Sequence, residues 1–244
     1  MALHRLHRSI LSLKSWLFTP ATKADRFRRA AEVHADALII DLRGNPGGGI
    51  GGLRLMSYLS PDHVPIGYSV DRKLAETGYY KERLPRFNRI PKSKWEVPLL
   101  ALKYGRKKSV VLETEGLGPQ RFHGRIAIFV NKHTTCAAEM VALFAQERGS
   151  ATIVGMPTPG RLISHRGFNI GHGFRLVIPT GAYVSWMGTR LDGTGIKPDV
   201  EVDWSYDDIL RSGCDTQLLQ AARMESFRSK PNQTSIGRTL FAAL

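Results

Sequence analysis

Cys136 is the residue of this sequence best placed for covalent chemistry. It lies in Asn131-Lys132-His133-Thr134-Thr135-Cys136-Ala137-Ala138-Glu139. The apolar run Arg125 to Val130 before it reads as a strand. Ala137 to Gln146 after it reads as a helix, with Met140, Val141, Leu143 and Phe144 near helical spacing. A thiol where a strand turns into a helix faces unpaired backbone N–H groups and the positive end of the helix dipole, which favour its ionised form. The competing reading is a cysteine used simply as a small apolar residue.

A second candidate segment is Arg43-Gly44-Asn45-Pro46-Gly47-Gly48-Gly49-Ile50-Gly51-Gly52. It follows Ala37-Leu38-Ile39-Ile40-Asp41-Leu42, a nearly continuous apolar run expected to be an internal strand covered on both faces. A helix through Leu53, Leu55, Met56 and Leu59 follows. Glycines at such a turn let backbone N–H groups approach a ligand closely. Four uses are open. A phosphate cradle lacks its lysine near Gly52; Gly47, Gly49 and Gly52 formally fit a dinucleotide fingerprint; an oxyanion hole is the third use; a tight turn alone is the fourth.

The elements that must position these residues follow in order. Thr22 or Asp25 is expected to cap a helix reaching about His34. Strands are expected over Val64–Val70, Ser109–Leu112 and Ala151–Gly155. A hairpin is expected from Phe174–Ile178 and Ala182–Trp186 about a Pro179-Thr180-Gly181 turn, then an extended Ile196–Val202 and a closing helix over Gly213–Met224. The chain of 244 residues is 42% hydrophobic, which suits one large domain. Its formal charge is +14, and Arg72 to Arg125 carries fourteen Lys/Arg against five Glu. That segment, broken by Pro85, Pro91, Pro98 and Pro119, reads as a solvated, loop-rich excursion. Tyr79, Tyr80, Phe87 and Trp95 lie in it without a nucleic-acid motif, so no nucleic-acid partner is expected. Two cysteines, Cys136 and Cys214, make no disulfide framework, and no spacing suggests a metal site. No cofactor is called for. No apolar run is long enough to span a membrane, and the basic N-terminus, interrupted by Lys14, is a poor secretory signal.

Four blocks resemble the S41 peptidases, the tail-specific or C-terminal processing proteases with their tricorn-like and retinoid-binding-protein-like relatives. They are Asp41-Leu42-Arg43-Gly44-Asn45-Pro46-Gly47-Gly48, Thr135-Cys136-Ala137-Ala138-Glu139, Val154-Gly155-Met156-Pro157-Thr158-Pro159-Gly160 and Gly195-Ile196-Lys197-Pro198-Asp199-Val200. They occur in the family's order across Ala37 to Val202. The resemblance implies a layered α/β core of the crotonase/ClpP type and hydrolysis of peptide bonds.

Carried over residue by residue, the family's nucleophilic serine corresponds to Cys136. Ala137 and Gly47 would supply the oxyanion N–H groups. The processing proteases' lysine base falls on Arg161, and their following glutamine on His165. Arginine is effectively always protonated and cannot be the base, so the serine–lysine mechanism is excluded. Arg161 can hold a thiolate, and His165 can take a proton in a Cys–His pair. Asp192 resembles the acidic residue of the tricorn-like branch and can orient a histidine. Glu147 matches an acidic position of the processing proteases. The PDZ domain that the processing proteases carry is not expected before Ala37.

The expected organisation is an N-terminal basic segment and helix over 1–36, an S41-like core over 37–228 with the basic excursion at 72–124, and a loose tail over 229–244. The expected partner is a peptide or an unfolded protein. Cleavage through Cys136 is the first reading of function, and a degenerate relative that binds peptides without cleaving them is the alternative. The resemblance implies an extracytoplasmic location; the sequence assigns no oligomeric state.

Overall fold

A computed structural model describes residues 10–11, 37–48, 51–88, 96, 109–118, 125–224 and 239–243; the side chains of 10–11, 163–166, 206, 208, 222 and 239–243 are outside the description. The expected helix ending near His34 falls outside these residues. So do Trp95 and most of the excursion between Arg89 and Lys108.

Six parallel strands form one sheet, in the order β1 (Ile10–Leu11), β11 (Thr239–Ala243), β2 (Ala37–Asp41), β6 (Arg125–Val130), β7 (Thr152–Gly155) and β10 (Val200–Glu201). A second, mixed sheet runs β4 (Arg86–Phe87), β5 (Val111–Glu113), β3 (Pro65–Asp71), β9 (Phe174–Ser185) and β8 (Ile163–Gly171). Helices α1 (Gly51–Tyr58) and α3 (Ala137–Glu147) lie between the sheets, and α2 (Arg72–Thr77) follows β3. Helices α4 (Tyr206–Ser212) and α5 (Thr216–Arg223) close the described core.

The continuous apolar runs of β2 and β6 follow from their coverage on both faces. Leu38, Ile40, Ile126, Ile128 and Val130 pack with α1 and α3, while Ile39, Ala127 and Phe129 pack with Ala221 of α5. Alternation sends successive side chains to opposite faces, so a strand inside a layered sheet must be apolar at every position. This is the mixed α/β architecture expected from the sequence.

Two local expectations are corrected. The hairpin does not turn at Pro179-Thr180-Gly181. Phe174–Ser185 is one strand, and it folds back on β8 through His172 and Gly173. Proline survives there because β3 pairs β9 only over Gly181–Ser185, so Pro179 needs no N–H toward a strand on that side. Residues Thr239–Ala243, read as part of a loose tail, form a strand between β1 and β2. Nothing local announces that pairing.

Tyr183 of β9 is buried between the sheets and donates to the Ile66 carbonyl oxygen at 3.2 Å. Burial, and then the nearby Glu147 carboxylate, raise its phenol well above the ordinary 10.0. The folded state therefore holds that proton more tightly than the unfolded chain. This contribution to stability is complete below pH ~10 and is lost as pH rises toward the folded value. Wild-type stability is expected to fall more steeply above pH ~10 than that of Tyr183→Phe; parallel denaturation midpoints across that range would contradict it.

Candidate active site

Cys136 stands immediately before α3 with φ 58° and ψ −123°. Positive φ is rare for a residue bearing a Cβ; such a conformation costs on the order of 1–3 kcal/mol and persists only where its surroundings impose it. Its surroundings do so here. The Cys136 N–H donates to Glu139 Oε2 at 2.9 Å. Glu139 is fully buried and accepts three further hydrogen bonds, from Thr158 Oγ1 (2.6 Å), Gly160 N (2.7 Å) and Arg161 N (2.9 Å). One carboxylate thus fixes the cysteine backbone and ties it to the loop Thr158–Arg161.

The glycine turn is joined to the same place from the other side. Asn131 Oδ1 accepts the N–H groups of Gly44 and His133, each at 3.0 Å. Thr134 Oγ1 donates to the Leu42 carbonyl at 2.8 Å, and Thr135 N donates to the Asn45 carbonyl at 2.9 Å. Gly47 has φ 78°, and a Cβ there would overlap the Cys136 Cβ and the Thr135 carbonyl oxygen and lie 2.7 Å from Ala137 N. Only glycine lets the turn pass this close to Cys136 and Ala137. The Gly47 N–H itself donates to Asn45 Oδ1 at 3.0 Å.

Arg43 anchors the start of that turn. Its guanidinium contacts Asp41 (2.5 Å) and Asp215 (2.8 Å) and lies over the rings of Phe129 and Trp204. Burial opposes the charge, but the hydrogen bond to Asp41 and the charges of Asp41 and Asp215 outweigh it and hold the pKa above its ordinary value. Asp215 also caps α5, so the turn is clamped to the closing helix.

The structure therefore brings together Gly47, Cys136, Ala137 and the backbone of Arg161. The Arg161 side chain is exposed. The 191–195 turn, carrying Asp192, packs onto the same loop: Gly193 N donates to the Gly160 carbonyl at 2.9 Å, and Ile196 N donates to Thr158 Oγ1 at 2.8 Å. His165 lies on β8 opposite Pro179, and its side chain is outside the described residues. Glu147, at the far end of α3 from Cys136, accepts from Ser185 Oγ (2.7 Å) and Thr189 Oγ1 (2.6 Å). Those bonds give it a structural role joining α3 to β9. His133 is exposed. Both cysteines are free thiols, and no group of three His, Cys, Asp or Glu side chains among the described residues is arranged to hold a metal ion.

From the sequence alone Glu139 reads as a residue that caps or hydrogen-bonds locally, and nothing there singles out Asn131 or Thr134. The available signal was polar residues at fixed positions between an internal strand and a buried helix, where burial demands hydrogen-bond partners.

These features define a layered α/β protein whose strand-to-helix turn presents a strained cysteine against a glycine turn. The chain belongs to peptidase family S41, whose model matches residues 9–202. A carboxy-terminal-processing protease of Bartonella bacilliformis is 30% identical over 100 residues, which is 41% of this chain and 23% of that protein. Among solved structures, the photosystem II D1 C-terminal processing protease matches with a TM-score of 0.54 at 18% identity, over 76% of this chain and 39% of that one. A putative peptidase from Parabacteroides merdae gives 0.60 at 16%, over 86% and 57%. Mature CPAF gives 0.55 at 16%, over 82% and 50%. At these identities the structural likenesses speak for the fold. The chain spans about a quarter of the curated relative's length and two fifths of the first of these structures.

Proposed function

We propose that this chain is a peptidase that hydrolyses peptide bonds with Cys136 as nucleophile. The observation that carries the reading is the backbone of Cys136. A strained residue stands at a strand-to-helix turn, at the positive end of the α3 dipole, and a glycine turn lies against it. Family membership supports the reaction class.

In this reading the Cys136 sulfur attacks the scissile carbonyl carbon. The Ala137 N–H and the glycine turn stabilise the oxyanion. Asn45 Oδ1 must yield or share the Gly47 hydrogen for Gly47 to donate there. His165 takes the thiol proton and returns it to the leaving amine as the C–N bond breaks, with Asp192 orienting it; water then cleaves the thioester and restores the thiol. Arg161 contributes positive charge near the thiolate and no proton transfer.

Turnover of a peptide by wild type and its loss, by at least about 1,000-fold, in Cys136→Ala is the expected result. Iodoacetamide should label Cys136 faster than a free thiol at neutral pH. Labelling no faster than glutathione would remove the activated thiol. The second reading, a binder that does not cleave, is favoured by Arg161 at the position of the processing proteases' base. Peptide binding without turnover in wild type is its signature.

A further inference from the structure

The two N–H groups assigned to the oxyanion stand differently. Ala137 N–H, at the first position of α3, has no acceptor among the described residues. Gly47 N–H is already engaged, donating to Asn45 Oδ1 at 3.0 Å. Asn45 is buried, and its backbone is fixed without help from that side chain. Its N–H donates to the Leu42 carbonyl oxygen at 3.1 Å, and its own carbonyl oxygen accepts the Thr135 N–H at 2.9 Å. The main chain thus ties the glycine turn to the cysteine turn, and Gly47 comes so near that a Cβ on it would overlap that of Cys136. Asn45 Oδ1 is an acceptor added to that frame, placed on the one N–H that the reaction needs.

An N–H carries one hydrogen, and an oxyanion is stabilised by donors about 2.7–3.1 Å from it. At Gly47 an amide oxygen occupies that range in the resting site. The carbonyl oxygen of a bound peptide is the same kind of neutral acceptor, so exchanging one for the other gains little. The oxygen of the tetrahedral adduct is charged, and its hydrogen bond is roughly twice as strong. The exchange therefore favours the adduct over the bound peptide. An interaction made in the transition state and withheld from the ground state raises kcat rather than merely lowering KM.

We propose that Asn45 Oδ1 is an internal stand-in for the oxyanion: it holds the Gly47 N–H in the resting site and yields it to the charged oxygen of the adduct; the proposal rests on the peptidase reading. Asn45 also spares the free protein a buried N–H without a partner, which costs about 1–3 kcal/mol. The same side chain so keeps the hole formed while it is empty and makes it selective for charge when it is filled.

The test titrates the full chain with the peptide aldehyde acetyl-Leu-Leu-leucinal, which adds reversibly to a thiol. The sulfur–carbon bond forms, the C=O π bond opens, its oxygen takes the oxyanion's place and the thiol proton passes to it. Asn45→Leu fills a similar volume without an acceptor, and its affinity for the aldehyde is expected to rise about two- to tenfold over wild type. Asn45→Asp sets a charged acceptor on the same N–H beside the adduct oxygen, and its affinity is expected to fall at least about tenfold. Weaker binding by Asn45→Leu overturns the proposal and makes Asn45 a positioning residue of the turn. Equal binding by all three forms, or an adduct with none, overturns it as well. Should Asn45→Leu fail to fold, wild type carrying isotope-labelled glycine decides. Adduct formation is expected to move the Gly47 amide proton downfield, and an unmoved resonance refutes the exchange. The expected order of affinities in a chain that cleaves no peptide would sink the peptidase reading and leave the exchange standing. Peptide turnover, with aldehyde affinity unchanged by Asn45→Leu, would do the reverse.

Discussion

Glu139→Ala is expected to lower the free energy of unfolding by about 3–5 kcal/mol. Glu139 is fully buried and accepts four hydrogen bonds, so the substitution leaves one hydroxyl and three N–H donors without their acceptor. Glu139→Gln keeps the volume, but its amide must turn an NH2 toward N–H groups that also donate; about 2–3 kcal/mol is the expected loss. Urea unfolding reads both. The second consequence falls on the site. Without the carboxylate, nothing described holds the Cys136 N–H, and the strained turn can relax. At urea concentrations where the variant remains folded, iodoacetamide labelling of Cys136 should slow toward the rate of a free thiol. An unchanged urea midpoint together with unchanged labelling would show that Glu139 organises neither the fold nor the turn.

Gly47→Ala is expected to reduce kcat/KM by at least about 100-fold, on the reasoning that displacing reacting groups by about 1 Å costs that much. The added methyl would overlap Thr135 and Cys136 and crowd Ala137 N, while φ 78° is unfavourable for alanine. Relief requires the glycine turn and the cysteine turn to separate, which pulls apart both proposed oxyanion donors. Gly51→Ala is the control. A Cβ there meets nothing within 4 Å, and the position begins helix α1, so its activity should be retained. Equal activity of the two variants would mean that the approach of Gly47 to Cys136 has no part in catalysis.

The two turns show what was legible and what was not. Apolar runs at Ala37–Leu42 and Arg125–Val130, each followed by a turn and a helical pattern, identify two strand-to-helix junctions from sequence alone. The blocks around Gly47 and Cys136 tie them to one family, and the family model's match over residues 9–202 agrees. The hairpin was misread because Pro-Thr-Gly is a good local turn signal. The actual pairing of β9 with β8 depends on which strand is already beside it, a contact no local signal reports. The strand at Thr239–Ala243 escaped for the same reason: its partner, Ala37–Asp41, lies about two hundred residues away in the chain.

The sequence by itself determined the layered α/β class, the two junctions and the chemical types available there, because periodicity and residue type are local properties. Tertiary structure decided that Gly47 and Cys136 touch, that Glu139 joins the Cys136 turn to the loop Thr158–Arg161, and that Glu147 serves β9 rather than the thiol. Those outcomes depend on distances between segments far apart in the chain. They follow from burial, which requires every enclosed polar group to find a partner and leaves the partner's position to the fold.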